Sequence, residues 1–210
     1  MKRMFSLIAV LALVIGTAGA GAQTPTPAGD DVWTIDTNHS SAQFATRHML
    51  VSTVRGNLGP VKGTVRWDGK NVKTAQVEAT IDVAGLSTRV QKRDDHLRSA
   101  DFFDAANHPT ITFKSKRVEP AGDGRFKLVG DLTIRGNTNE VALDVEGPMP
   151  PVKQRNGYRS GATASGSISR KQFGLLWNNL METGGAVVAD EVQMTIDVEF
   201  IKQPPASSPQ

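Results

Sequence analysis

Val192, Met194, Ile196, Val198 and Phe200 alternate without a break with Gln193, Thr195, Asp197 and Glu199. Only an extended strand, whose successive side chains point to opposite faces, gathers such a row onto one side; a helix would scatter it around its circumference. The pattern recurs along the chain. Val77, Ala79, Ile81 and Val83 alternate with Gln76, Glu78, Thr80 and Asp82. Phe126, Leu128, Gly130, Leu132 and Ile134 alternate with mostly polar neighbours, and Val141, Leu143 and Val145 continue the series. Weaker segments of the same kind run at 33–36, 41–49, 61–68, 110–118 and 161–169. One apolar and one polar face per strand marks antiparallel sheet with one side against a core.

Turn signals separate these segments: Trp67-Asp68-Gly69-Lys70, Ala121-Gly122-Asp123-Gly124, Arg135-Gly136-Asn137-Thr138, and the chain breaker Gly147-Pro148-Met149-Pro150-Pro151. Gly184-Gly185 reads as a further turn before the last strand. About eight strands in one domain predict an all-β sandwich or an up-and-down barrel. The one good helical candidate covers residues 90–106 and interrupts the strands.

Residues 1–22 have the form of a secretory signal peptide: Lys2 and Arg3, an apolar run from Phe5 to Ile15, then Ala20-Gly21-Ala22. That run is shorter than the roughly 20 residues a spanning helix needs, so export is expected without stable membrane insertion. Segments 23–31 and 203–210 are rich in Pro, Ser and Thr with little to bury and are expected to be disordered, leaving one domain at 32–202. The chain has no cysteine, which removes disulfides and lipidated cysteines from consideration. Without Lys2 and Arg3 the formal charge of +3 falls close to neutral, and no cluster of Lys and Arg is longer than a pair, which argues against a nucleic-acid partner.

An eight-stranded barrel is near the size at which the interior either fills with side chains or holds one small ligand. Ala79, Gly130, Ala162, Ala164 and Gly166 all fall on candidate inner faces. Such a light row suits either a pocket or close packing of crossing strands, and alternation does not choose between them.

Two series of blocks carry a resemblance. Ile35-Asp36-Thr37-Asn38-His39-Ser40-Ser41-Ala42-Gln43-Phe44, leading to Arg47-His48 and Val54-Arg55-Gly56, resembles the start of the YceI-like family of lipocalin-like polyisoprenoid-binding proteins. So do Arg93-Asp94 through Asp101-Phe102-Phe103-Asp104 to Pro109 with Thr112-Phe113, then Gly130-Asp131-Leu132-Thr133-Ile134-Arg135-Gly136, then Ser169-Arg170-Lys171-Gln172-Phe173-Gly174. Four blocks in the right order over roughly residues 32–202 are far more specific than any one of them. The resemblance implies an eight-stranded antiparallel, lipocalin-like barrel whose elongated apolar cavity takes up a long isoprenoid or related lipid. It also implies a periplasmic or secreted protein without a catalytic centre or cofactor, and a homodimer as one assembly. One departure stands at Gln172, where an acidic residue often precedes Phe-Gly; it puts only a local polar contact in doubt.

On this reading the cavity wall is formed by Phe44, Val77, Ile81, Phe113, Leu132, Ile134, Met194, Ile196 and Val198, with Phe102, Phe103 and Trp177 near the mouth. Trp177 could equally pack outside the wall as a large amphipathic ring. His48 shares a strand face with Phe44 and Thr46 and is expected to be a hydrogen-bonded core residue or to meet a lipid head group. Arg55 and Arg170 suit a charged head group, because a guanidinium grips phosphate bidentately; they suit equally well pairing with Asp36 or Asp94 in the wall.

The stretch Arg93–Pro109 holds half of the four histidines. His96 with Asp94 or Asp95 has the makings of a general-base pair, and His96 with Asp101, Asp104 and His108 of a metal set. The spacing is poor for metal, since Ala100, four residues past His96, has no ligand atom. The structural reading is that Asp101 caps a new helical turn containing Asp104, that Phe102 and Phe103 are driven onto the barrel mouth, and that Arg93, Asp94 and His96 fasten the segment as a lid. No Gly-x-Ser-x-Gly elbow, dinucleotide fingerprint or Walker loop is present. Two other classes stay open: an enzyme acting on the bound lipid through His48 or the Arg93/Asp94/His96 cluster, and a ligand-free structural barrel.

Overall fold

The computed structural model describes residues 31–122, 125–179 and 186–202. The leader at 1–22, the tail at 203–210, the Gly184-Gly185 turn and all but Asp31 of the N-terminal segment lie outside the described residues. The strands are β1 (Val32–Ile35), β2 (Ser41–His48), β3 (Ser52–Gly59), β4 (Val61–Arg66), β5 (Gln76–Asp82), β6 (Thr110–Gly122), β7 (Arg125–Ile134), β8 (Asn137–Glu146), β9 (Val152–Gln154), β10 (Gly157–Ser169) and β11 (Val188–Lys202). One helix, α1 (Gln91–Arg98), lies between β5 and β6.

The sheet closes on itself through β11. One edge of β11 pairs with β10 from Tyr158↔Lys202 to Ser169↔Glu191. Its other edge takes β2 from Val188↔His48 to Asp197↔Ser41 and then β1 at Phe200↔Ile35. The closed ring runs β1, β4, β5, β6, β7, β8, β10, β11, all antiparallel. This is the eight-stranded barrel that the resemblance implies, and one of the two architectures that the alternation allows. The β2–β3 hairpin continues the wall beside β11, and β9 flanks β10.

Strands β3 and β9 are absent from the sequence reading for a physical reason. In β3 only Leu58 is buried, and β9 is exposed throughout, so neither has an apolar row to show. The β7–β8 hairpin turns on Arg135 and Gly136, both at positive φ (49° and 73°), the two-residue geometry that matches strand twist.

Helix α1 is shorter than the expected 90–106. Its end is set by Ser99, whose amide donates to the carbonyls of Asp95 and His96 and whose hydroxyl donates to His96 O at 2.8 Å. Beyond it the chain turns, with Asp104 at φ 50°. Asp101 caps no second helical turn: its carboxylate meets His96 Nε2 at 2.9 Å, while Asp104 takes the Asn107 amide at 3.0 Å.

The barrel's two ends differ. At one, where β11 finishes, the rings of Trp33, Trp67 and Phe200 stack tilted and edge-on with centroids 5.6 to 6.3 Å apart. The other is covered by the segment from Val83 to Pro109 and by the 3-10 turn Arg170–Phe173, which bury Leu86, Phe102, Phe103, Phe173 and Leu175.

An apolar cavity under a fastened lid as the candidate functional site

Between the two ends the inward rows leave an apolar cavity of about 220 Å³. An apolar void of roughly 150 Å³ already stays dry and accepts a benzene-sized guest, so a space of this size has room for an apolar ligand. The wall follows the period-two rows of the sequence. Phe44, Val77, Ile81, Phe113, Leu132, Ile134, Met194, Ile196 and Val198 all line it, and Phe102 and Phe103 close it from the lid. Among the lining side chains, Thr46 alone carries a hydroxyl and Arg170 alone a charge.

The small residues of the inner row divide between the two roles left open by the sequence. Ala79, Ala162 and Ala164 line the cavity. Gly130 does not: a Cβ there would come within 2.4 Å of Lys114 O and 2.7 Å of Phe113 Cζ, so glycine permits the close crossing of β6 and β7. Gly166 likewise gives room to Leu143 Cδ2, 3.0 Å from where its Cβ would sit.

Trp177 is not part of the cavity wall. Its ring packs on the lid, edge-on to His96 at 4.7 Å and tilted against Phe102 at 5.1 Å. His96 is thus held by two aromatic rings and one carboxylate, Asp101.

The polar residues of the lid are committed to fastening it. Asp94 is buried and accepts from both the amide (2.8 Å) and the hydroxyl of Thr88. Burial alone would raise the Asp94 carboxyl, but those two bonds and the nearby Arg98 charge hold it below its ordinary value. Arg93 closes the same corner, donating to Thr88 Oγ1 at 2.7 Å and Thr88 O at 3.0 Å. Arg98 donates to Ala84 O at 3.2 Å and to Leu86 O. Arg93, Asp94 and His96 therefore do not bond to one another: two converge on Thr88 and the third turns to Asp101.

Arg170, 4% exposed, donates to the carbonyls of Ala189 (3.0 Å), Leu175 and Trp177 (2.9 Å), tying the segment after β10 to the start of β11. Burial pulls its guanidinium below the ordinary value, opposed by the Asp190 carboxylate. Neither Arg170 nor Arg55 pairs with Asp36 or Asp94. Arg55 is exposed on β3 opposite Ala45, and the partner of Asp36 is Arg159 at 2.9 Å, which also meets Glu199. His48 ends β2 between Ser52 and Val188 and does not line the cavity. Gln172 is exposed, and its carbonyl rather than its side chain is engaged, by Asn139 Nδ2 at 3.0 Å.

Two contributors were invisible in the sequence because their partners lie far away in the chain. Arg135, a residue of the 135–138 turn and of the third family block, donates to Ala100 O at 2.7 Å and Gly174 O at 2.8 Å, joining the two halves of the lid. Asp36, His39 and Glu199 bring ligand atoms within 4.8 Å of one another, the one such grouping among the described residues. The Arg159 guanidinium already bridges its two carboxylates, and a hydrogen bond from His39, then one from Arg159, lower the Asp36 carboxyl to about 2. The His96, Asp101, Asp104 and His108 side chains, whose spacing is poor for a metal, do not converge: His96 and Asp101 pair, Asp104 faces Asn107, and the His108 ring lies against Gly136 of the β7–β8 turn.

A closed antiparallel barrel with an apolar interior and a polar-fastened lid defines a lipocalin-like binding barrel. Residues 33–200 match the model of the YceI-like domain, and the chain belongs to that family. A UPF0312 protein of Staphylococcus aureus strain USA300 is 35% identical over 169 residues, covering 80% of this chain and 96% of that protein. Among solved structures, Burkholderia cenocepacia BcnA superposes with a TM-score of 0.67 at 24% identity, covering 79% of this chain and 98% of BcnA. The Campylobacter jejuni YceI protein gives 0.62 at 26% identity, covering 75% and 90%. A polyisoprenoid-binding domain from Saccharophagus degradans gives 0.60 at 13% identity, covering 82% and 98%. The BcnA and Saccharophagus likenesses speak to the fold alone.

Proposed function

We propose that this protein is an exported, non-enzymatic carrier that holds one long-chain isoprenoid lipid, a polyprenol or a quinone-like molecule, in the barrel cavity. The observation that carries the reading is the cavity itself: about 220 Å³ lined by apolar side chains, with Thr46 and Arg170 as the exceptions. Burying hydrocarbon there supplies the affinity without any polar contact, at roughly 0.8 kcal/mol per methylene before ordering costs. Arg170 directs its donors to carbonyls of the protein, and among the described residues lining the wall no nucleophile is paired with a base. The signal-peptide pattern at 1–22 supports a periplasmic location. The Saccharophagus structure of the same fold is of a polyisoprenoid-binding domain, which suits the same class of cargo.

Titration of the delipidated mature protein with all-trans geranylgeraniol, followed by tryptophan fluorescence, tests the reading. Saturable uptake of one molecule per barrel is expected; failure to take up this or longer prenols contradicts it.

A further inference from the structure

At the lid end Arg93, Asp94 and Arg170 are all engaged by the protein itself. The opposite end is built differently. Beyond the Trp67 ring lies a vestibule of about 600 Å³. It shares Trp67, Val72, Phe126 and Pro148 with the cavity wall, so these residues stand between the two spaces. Its rim carries Lys70, Lys73 and Arg125 against a single carboxylate, Glu146. Among the described residues none of these three cations forms an ion pair.

The loop that presents two of them is shaped in advance. Asp68 Oδ1 accepts the amides of Asn71 (2.7 Å) and Lys70 (2.8 Å), which hold its carboxyl below the ordinary value. Asn71 then accepts the Lys73 amide at 3.1 Å and caps the 3-10 turn Val72–Thr74. An independent observation sits at the junction itself. Trp67 is 4% exposed, and its indole Nε1 is the one buried side-chain polar atom without a hydrogen-bond partner among the described residues. A buried donor left unsatisfied costs roughly 1–3 kcal/mol, so an N–H in this position calls for an acceptor.

Resting on the carrier reading, we propose that the vestibule is the head-group site, and that it selects a lipid ending in phosphate. The apolar tail enters the barrel past Trp67, the indole N–H donates to a head-group oxygen, and Lys70, Lys73 and Arg125 neutralise the anion. A neutral quinone or amide would satisfy Trp67 but leave three cations facing the single rim carboxylate of Glu146.

The test compares geranylgeranyl monophosphate, geranylgeraniol and inorganic phosphate as ligands of the delipidated mature protein and of the triple variant Lys70→Gln/Lys73→Gln/Arg125→Gln. These side chains are exposed, so the variant keeps the fold. Wild type is expected to bind the phosphorylated lipid roughly tenfold or more tighter than the alcohol, as charge-assisted hydrogen bonds allow. The variant is expected to lose that preference, keeping its affinity for the alcohol, and inorganic phosphate alone should bind far more weakly than the lipid phosphate. Equal affinity for the two lipids in wild type, or a preference that survives in the variant, would overturn the head-group site while leaving the carrier reading intact. So would free phosphate binding as tightly as the lipid phosphate. Uptake of neither lipid would overturn the carrier reading and this site with it.

Discussion

Ala164 offers the sharpest distinction between a barrel built to be empty and one that is merely loosely packed. It lies midway along β10, paired with Ile196 on β11 and Val145 on β8, and its methyl group faces the cavity. Replacing it by phenylalanine places a benzene ring in that space. A benzene-sized guest occupies a void of roughly 150 Å³, about two thirds of the cavity's 220 Å³. Denying burial to as few as four methylenes at about 0.8 kcal/mol each removes about 3 kcal/mol, or roughly 200-fold in Kd. The fold should not suffer, because the ring enters open space and β-strands favour aromatic residues. The assays are prenol titration and thermal denaturation of the delipidated protein. A cavity predicts uptake weakened by about two orders of magnitude with Tm unchanged or raised. A packed interior predicts the reverse: overpacking costs about 1–3 kcal/mol, which for a domain of this size lowers Tm by about 2–12 °C. A Tm loss on that scale with uptake intact would refute the reasoning.

Three further outcomes are expected. Asp94→Ala leaves the Thr88 amide and hydroxyl without their acceptor; it should destabilise the protein by about 1–3 kcal/mol, read as a lower urea midpoint with an unchanged slope. The Asp36 carboxyl, lowered to about 2 chiefly by His39 and then by Arg159, contributes stability that is present above the ordinary carboxylate value and lost as the pH falls through it toward 2. Acid unfolding of wild type should therefore steepen below about pH 4, and Asp36→Asn should flatten that limb; an unchanged acid limb would count against the pairing. His96→Ala removes an imidazole that touches Phe102, Trp177 and Asp101 but does not line the cavity. Prenol uptake should stay within about twofold of wild type, at a packing cost of about 0.5–1.5 kcal/mol, and mass spectrometry of the extracted lipid should find it chemically unaltered in both proteins.

The residues that could be read from the sequence share one property: their role is fixed by which face of a strand they occupy. Met194, Ile196 and Val198 line the cavity because period two puts them on the same side as Phe200, and the same logic located Phe44, Phe113 and Leu132. Alternation could not tell Ala164, which lines open space, from Gly130, which makes room for Phe113, because both are small residues on an inner face. Strand β3 leaves no alternating signal because its residues around Arg55-Gly56-Asn57 have little apolar surface to bury. The polar fastenings were legible as a density of charge but not as pairs. Arg135 reaches back to Ala100, and Arg159 to Asp36, across 35 and 123 positions in the chain, and only the closed barrel brings them together. The vestibule is illegible in the sequence for a related reason. Lys70 and Lys73 stand on the loop after β4 and Arg125 at the start of β7, and nothing in either segment alone marks a site.

The most direct test of the carrier reading is native mass spectrometry of protein purified without detergent from the cell that makes it, followed by organic extraction of whatever is bound. A barrel that carries an isoprenoid should be accompanied by a stoichiometric mass that disappears on extraction and is identified as a long-chain prenyl lipid. Protein that emerges clean, and that stays clean after exposure to long-chain prenols and their phosphates, would contradict it.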